Sequence, residues 1–197
     1  MPRINAPTVR EHHDLQHQVI LDAVGGILAA DGYEGLELAR VARQVGMART
    51  SLYRYARDKD ELVAQWLQRA FAPVMSQAQA VLGAPGPPEE RLSVWLDCQL
   101  EFAARPRDGA AARLMAQFDQ LPQAIQEMVL EGHRPLRDAL SAVVADALRE
   151  QPDRDPELVL AFIEAVAASA SRRAAEGLTS ELRVEVRHSV LALLRKG

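Results

Sequence analysis

The chain has 197 residues, enough for one or two domains of ~100–200 residues each. Hydrophobic side chains make up 48% and charged ones 25%, which excludes a collagen, a disordered tail and a disulfide scaffold, and the single cysteine, Cys98, can form neither an internal disulfide nor a cysteine metal cluster. The net charge of −4 argues against non-specific nucleic-acid binding, yet residues 37–59 carry six basic side chains against two acidic ones while the flanking segments are acidic. Such a window is either a phosphate-binding surface or a solvated helix face.

Alanine, leucine, glutamate, arginine and glutamine dominate, and alternating β-branched runs are absent, so the expected fold class is all-α. A first helix is predicted over 14–30, from the apolar spacing of Val19, Ile20, Val24, Ile27 and Leu28. Gly25 and Gly26 inside it mark either close helix packing or a weak spot, and Asp31-Gly32 ends it. Short helices follow over 38–45, closed by Gly46, and over 49–56. Asp58 suits the N-cap of the next helix, with Glu61 as its capping-box partner. That helix runs to about residue 82, with a kink or break expected at Pro73. The Gly- and Pro-rich stretch 83–88 is a loop. Further helices are predicted over 89–104, 109–120 and 122–150, the last bent near His133 by Gly132 and Pro135. After the break at 152–156, where Asp155 caps and Pro156 opens a helix, two final helices cover 156–176 and 179–195. No run approaches the ~20 apolar residues of a membrane span. Residues 1–10 lack the apolar stretch of a signal peptide, so the chain is expected in the cytoplasm.

Residues 38–55 carry the functional signal. Two short helices meet at a turn centred on Gly46, and Val41, Ala42, Val45, Met47 and Leu52 are spaced to pack them together, which is the helix-turn-helix plan. A seven-residue helix is a rod of roughly 10 Å, able to enter a major groove about 12 Å wide. With Leu52 inward, Arg49, Thr50, Tyr53 and Arg54 face outward. Arginine reads guanine O6 and N7, hydroxyls meet base edges or phosphates, and tyrosine offers both a ring and a hydroxyl. Arg40 and Lys59 flank the motif and suit backbone phosphates.

Residues 20–63 resemble the N-terminal domain of TetR-type transcriptional regulators. The matching residues include Ile20-Leu21-Asp22-Ala23, Gly32-Tyr33-Glu34-Gly35, Val41-Ala42, Val45-Gly46-Met47, Ser51-Leu52-Tyr53-Arg54-Tyr55 and Lys59-Asp60-Glu61-Leu62. The resemblance implies an N-terminal three-helix helix-turn-helix DNA-binding domain over 14–62. It further implies a C-terminal helical ligand-binding and dimerisation domain over 63–197, and a homodimer built on the last two helices. It maps phosphate contacts to Tyr53 and Lys59 and base-reading positions to Arg49, Thr50 and Arg54. The full candidate DNA-contacting set is Arg40, Arg49, Thr50, Ser51, Tyr53, Arg54, Tyr55 and Lys59. Three residues depart from the family pattern: Glu37 in place of a frequent threonine, Ala48 in place of a serine cap, and Ala56 in place of a bulky aromatic.

The remaining two-thirds shows no family motif. Leu158, Phe162 and Val166 line one face of the penultimate helix, and Leu182, Val186, Val190 and Leu193 line the last at steps of four, four and three. From the stripes alone, a four-helix dimer interface and an intramolecular hairpin are equally compatible; the resemblance favours the dimer. Trp66, Trp95, Gln99, Phe102, Met115, Phe118 and Met128 are candidates for a ligand pocket, although aromatic and methionine residues at helical spacing also make ordinary core. His13 and His17 are four apart beside His12, but no third metal ligand is apparent and no metal or cofactor is expected. Cys98 reads as a buried small residue. No P-loop, nucleotide-binding glycine motif, nucleophile elbow or zinc-protease pair occurs, so the chain is not expected to be an enzyme. The expected function is therefore a ligand-responsive regulator, a repressor released from a palindromic operator by a small apolar or aromatic molecule. The alternative is a helical dimeric adaptor, which would have no use for the outward Arg49, Tyr53 and Arg54 cluster.

Overall fold

A computed structural model describes residues 9–105 and 109–195, and the N-terminal stretch read above for a leader lies almost wholly outside them. Every regular element among the described residues is helical. The order is α1 (Val9–Asp31), α2 (Leu38–Gln44), α3 (Arg49–Leu52), α4 (Lys59–Leu82), α5 (Pro88–Ala103), α6 (Ala110–Ala116), a 3-10 turn (Phe118–Gln120), α7 (Gln123–Ala147), α8 (Pro156–Ala174) and α9 (Ser180–Leu194).

The helix ends follow local chemistry. Asp58 accepts a 2.8 Å bond from the Glu61 amide, and the Glu61 carboxylate accepts from the Arg57 amide at 2.8 Å, one residue earlier than the standard box. Asp155 caps α8 through the Glu157 amide with Pro156 in its first turn, and Thr179 caps α9 through the Leu182 amide. The far end of α9 is satisfied from a distance. Arg154 donates to the carbonyls of Leu193 and Arg195, and Gln151 donates to that of Leu194.

The prolines inside the two long helices do not interrupt them. α4 is not broken at Pro73 and α7 runs unbroken through Gly132 and Pro135. Pro73 and Pro135 are both exposed, so the carbonyl that each leaves without its helical partner can turn to water.

The described residues divide into two compact units, one of residues 9–71 and 109–132, the other of 72–105 and 133–195. This division differs from the sequence boundary at 62/63. Val63, Ala64, Trp66 and Leu67 of α4, with Leu114, Leu121, Ile125 and Val129, are buried in the same core as Ile20, Val24, Val41 and Leu52. The second unit has its own core, formed by Leu92, Trp95 and Leu96 of α5 with residues of α7, α8 and α9. Asp97 of α5 pairs there with Arg187 of α9 at 2.5 Å.

Gly25 is a close-packing position. A Cβ placed there would lie 2.5 Å from the indole nitrogen of Trp66, whereas one at exposed Gly26 would meet only Gln44 at 3.8 Å. Gly25→Val is therefore expected to destabilise the protein by about 1–3 kcal/mol through overpacking. Gly26→Ala is expected to stabilise it by about 0.5–1 kcal/mol through helix propensity. Thermal unfolding of the two variants would show midpoints displaced in opposite directions.

Candidate nucleic-acid interface

The turn between α2 and α3 is closed by backbone geometry. Gly46 sits at φ +68°, its amide reaches the Arg43 carbonyl at 3.3 Å, and the Met47 amide reaches the Ala42 carbonyl at 2.9 Å. This is a Schellman ending, which needs a left-handed residue after the helix and so favours glycine. The chain then re-enters a helix at Ala48, which is extended and provides no side-chain cap. α3 is shorter than predicted. It ends at Leu52, after which Arg54 and Tyr55 bond back to the carbonyls of Ser51 and Leu52 in a tighter turn. Leu52 is fully buried and sets the rotation of α3. Arg49, Thr50 and Arg54 are exposed, Tyr53 is 48% exposed, and Ser51 is half-buried.

The cations separate into engaged and free. Arg40 bonds to Asp31 at 2.5 Å and to the Gly35 carbonyl at 3.2 Å, so it holds the turn after α1. Arg57 bonds to Glu61 at 3.0 Å. The Arg57 amide, followed by its side chain, holds the Glu61 carboxyl below the usual range against the opposing effect of burial. Lys59 lies 4.0 Å over the Tyr33 ring, and the Tyr33 hydroxyl donates to Asp60 at 2.5 Å. Burial, then this bond to the Asp60 carboxylate, pushes the Tyr33 phenol well above its ordinary range. Arg43, Arg49 and Arg54 have no carboxylate within ion-pair distance among the described residues. Arg49 and Lys59 line a cleft of about 390 Å³ together with Glu34 and Glu37. Glu37 stands at the N-cap of α2 without a side-chain cap bond.

Tyr55, a candidate DNA contact, is half-buried against the first core and stacked under His13 and His17. Among the described residues no group of three potential metal ligands occurs, and these histidines are engaged with tyrosine instead.

The candidate pocket residues are divided between the two units. Trp66, Met115, Phe118 and Met128 pack with the first unit, whereas Trp95, Gln99 and Phe102 lie on α5 in the second. Trp95 is buried, and its indole nitrogen has no hydrogen-bond partner among the described residues. A cleft of about 550 Å³ in the second unit is lined by other residues, among them Arg91, Ala142, Asp146 and Arg149. Cys98 is half-buried rather than buried. Burial, then Glu101 and Asp97, raises its thiol pKa, which disfavours the reactive thiolate.

On α8, Leu158 and Phe162 are half exposed and Val166 is partly buried. The apolar residues of α9 divide between inside and outside. Val186 and Val190 are buried in the second core, Leu182 and Leu193 are half-buried against it, and Val184 is a large apolar residue exposed to 68%. Steps of four and three trace one helix face, here the inner one, and Val184 lies two residues off it, nearly opposite.

The fold and the outward side chains define a helix-turn-helix DNA-binding protein. Residues 20–65 match the family model described as bacterial regulatory proteins, tetR family. Over this stretch the chain carries a tetR-type DNA-binding domain, the kind found in bacterial regulatory proteins. Similar solved structures include a transcriptional regulator from Pseudomonas aeruginosa PAO1 (TM-score 0.70, 17% identity, covering 92% of this chain and 89% of that one). A TetR regulator from Haloarcula marismortui has a TM-score of 0.64 and 23% identity, covering 92% and 97%. FadR from Bacillus subtilis, solved in complex with stearoyl-CoA, has a TM-score of 0.64 and 15% identity, covering 90% and 97%. At these identities the likeness concerns the fold. No curated protein matches the chain by sequence. Among the described residues no helix is long and apolar enough to cross a membrane.

Proposed function

We propose that the protein is a dimeric repressor that leaves a palindromic operator when a small apolar or aromatic molecule binds its C-terminal helices. The observation that carries this reading is the α2–turn–α3 unit, with Arg43, Arg49 and Arg54 free of ion pairs among the described residues, beside exposed Tyr53. In this reading Arg49, Thr50 and Arg54 meet base edges, while Tyr53, Ser51 and Lys59 meet phosphates. Arg40 acts indirectly, by holding the turn that precedes α2. A two-fold dimer would read half-sites about 34 Å apart or a related spacing.

The effector reading rests on α5. Trp95, Gln99 and Phe102 recur at steps of four and three, and the buried indole N–H of Trp95 is a donor without an acceptor among the described residues. That FadR was solved with a long-chain acyl-CoA supports an apolar effector class. An effector changes DNA affinity only through different affinities for two conformations. α4 passes from the first unit into the second, so it is the natural lever.

The test is selection of bound fragments from a random DNA pool, followed by anisotropy titration at several salt concentrations. Specific binding that weakens with salt supports the reading; a pool that remains unenriched overturns it. Dimerisation is tested separately. Phe162, half exposed on α8, is assigned to the interface with Leu158 and Val184. Phe162→Glu is expected to give a monomer in sedimentation analysis with unchanged helicity, because a charge cannot be buried unpaired in an apolar interface. A variant that remains dimeric would place the interface elsewhere.

A further inference from the structure

We propose that His13 and His17 of α1, with Gln65 of α4, form a clasp that positions the recognition helix α3 through Tyr55. The proposal deepens the DNA-binding reading above and rests on it for its purpose, though not for its geometry.

α3 has only four residues. One helical turn is too short to hold its own orientation, and Ala48 adds no side-chain cap. Leu52 anchors α3 from within the core. Tyr55, three residues later, is held at both its ring and its backbone. The His13 ring stacks on the Tyr55 ring with centroids 4.6 Å apart and planes inclined by 20°, and the His17 ring follows one turn along α1 at 6.0 Å and 21°. The Gln65 amide nitrogen donates to the Tyr55 carbonyl at 3.0 Å. Its oxygen is left to accept from His17 Nε2 at 2.8 Å, which requires the proton on that nitrogen. The Glu61 carboxylate, which takes the Arg57 amide at 2.8 Å, lies 3.5 Å from the same Gln65 nitrogen. Residues 55–57, between α3 and α4, are thus gripped at a ring, a carbonyl and an amide.

The form of α1 agrees with this role. Its buried residues begin at Ile20, and Leu15 and Val19 are exposed, so residues 11–19 contribute little to the core. Only Gln16 and His17 in that stretch are half-buried. The extra turns of α1 carry the two histidines at a spacing of four, which places both on the face toward Tyr55. His13, His17 and Gln65 are positioning residues, since they act on DNA only through Tyr55 and α3.

The test compares the full chain with His13→Ala/His17→Ala and with His13→Phe, which keeps a stacking ring. Amide hydrogen exchange is measured first, without DNA. In the double alanine variant the amides of Arg54, Tyr55 and Ala56 are expected to exchange about tenfold faster, with those of Val45 and Met47 unchanged. His13→Phe is expected to retain protection. Unchanged exchange at 54–56, or a uniform increase across both helices, overturns the clasp. Titration against the selected DNA comes second. The double variant is expected to bind about tenfold more weakly with the same salt slope, because no phosphate contact is removed. A reduced slope would make the histidines direct phosphate contacts and overturn the positioning role. If the wild-type chain selects no DNA while the exchange pattern holds, the DNA-binding reading fails and the clasp stands.

Discussion

The double variant Arg49→Ala/Tyr53→Ala is expected to bind the selected operator about a hundredfold more weakly or worse, while its unfolding midpoint barely changes. Both side chains are exposed, and neither has an ion-pair or hydrogen-bond partner among the described residues. Truncation therefore leaves no buried group unsatisfied, and surface changes of this kind stay within about 0.5 kcal/mol of stability. On DNA the same side chains are worth about 1–3 kcal/mol each if they make the contacts assigned to them. The two losses differ in kind. Loss of Arg49 from a base edge should relax discrimination between sequences. Loss of Tyr53 from a phosphate should weaken all sequences alike and lower the salt slope by less than a cation would. Anisotropy titrations at three salt concentrations, with operator and scrambled DNA, separate these outcomes. Unchanged affinity would show that α3 does not face the groove.

The Leu52→Ala variant is expected to lose about 2–5 kcal/mol of stability, as large-to-small changes at fully buried leucines do. Leu52 is wholly excluded from solvent in the core shared by α1, α2 and α4. Domains are stable by only about 5–15 kcal/mol in total, so this is a large fraction. The loss should fall on the first unit, because the second has its own core of Leu92, Trp95, Leu160 and Ile163. Urea unfolding followed by tryptophan fluorescence, with Trp66 in one core and Trp95 in the other, would resolve this. An early transition displaced to lower urea beside an unmoved late one is expected, and equal displacement of both would show that the cores unfold as one. DNA affinity should fall as well, since α3 has few other anchors.

Much of the candidate interface is legible in local sequence. Gly46 is required by a left-handed backbone position, and Val41, Ala42 and Leu52 are required by the packing of two short helices. Those are short-range demands that a run of fifteen residues expresses. The engagement of Arg40 by Asp31 and of Tyr55 by His13 and His17 is not legible in this way. The first depends on how the turn after α1 folds back, and the second joins residues about forty positions apart. The histidine pair is visible as a spacing of four, but that spacing alone does not distinguish a metal site from a stack on an aromatic ring.

The same limit applies to the second unit. Helical periodicity in α9 identifies an apolar stripe at Leu182, Val186, Val190 and Leu193 but not the surface it covers. The tertiary structure turns that stripe into the protomer's core and leaves Val184 outside. The sequence by itself determined the all-helical class, the helix-turn-helix and most helix ends, because caps, turns and periodicity act over one or two helical turns. Only the tertiary structure decided which cations remain free, which apolar faces are spent on the core, and how residues 109–132 join the first unit. Those outcomes depend on which distant side chains arrive to neutralise a charge or cover a face.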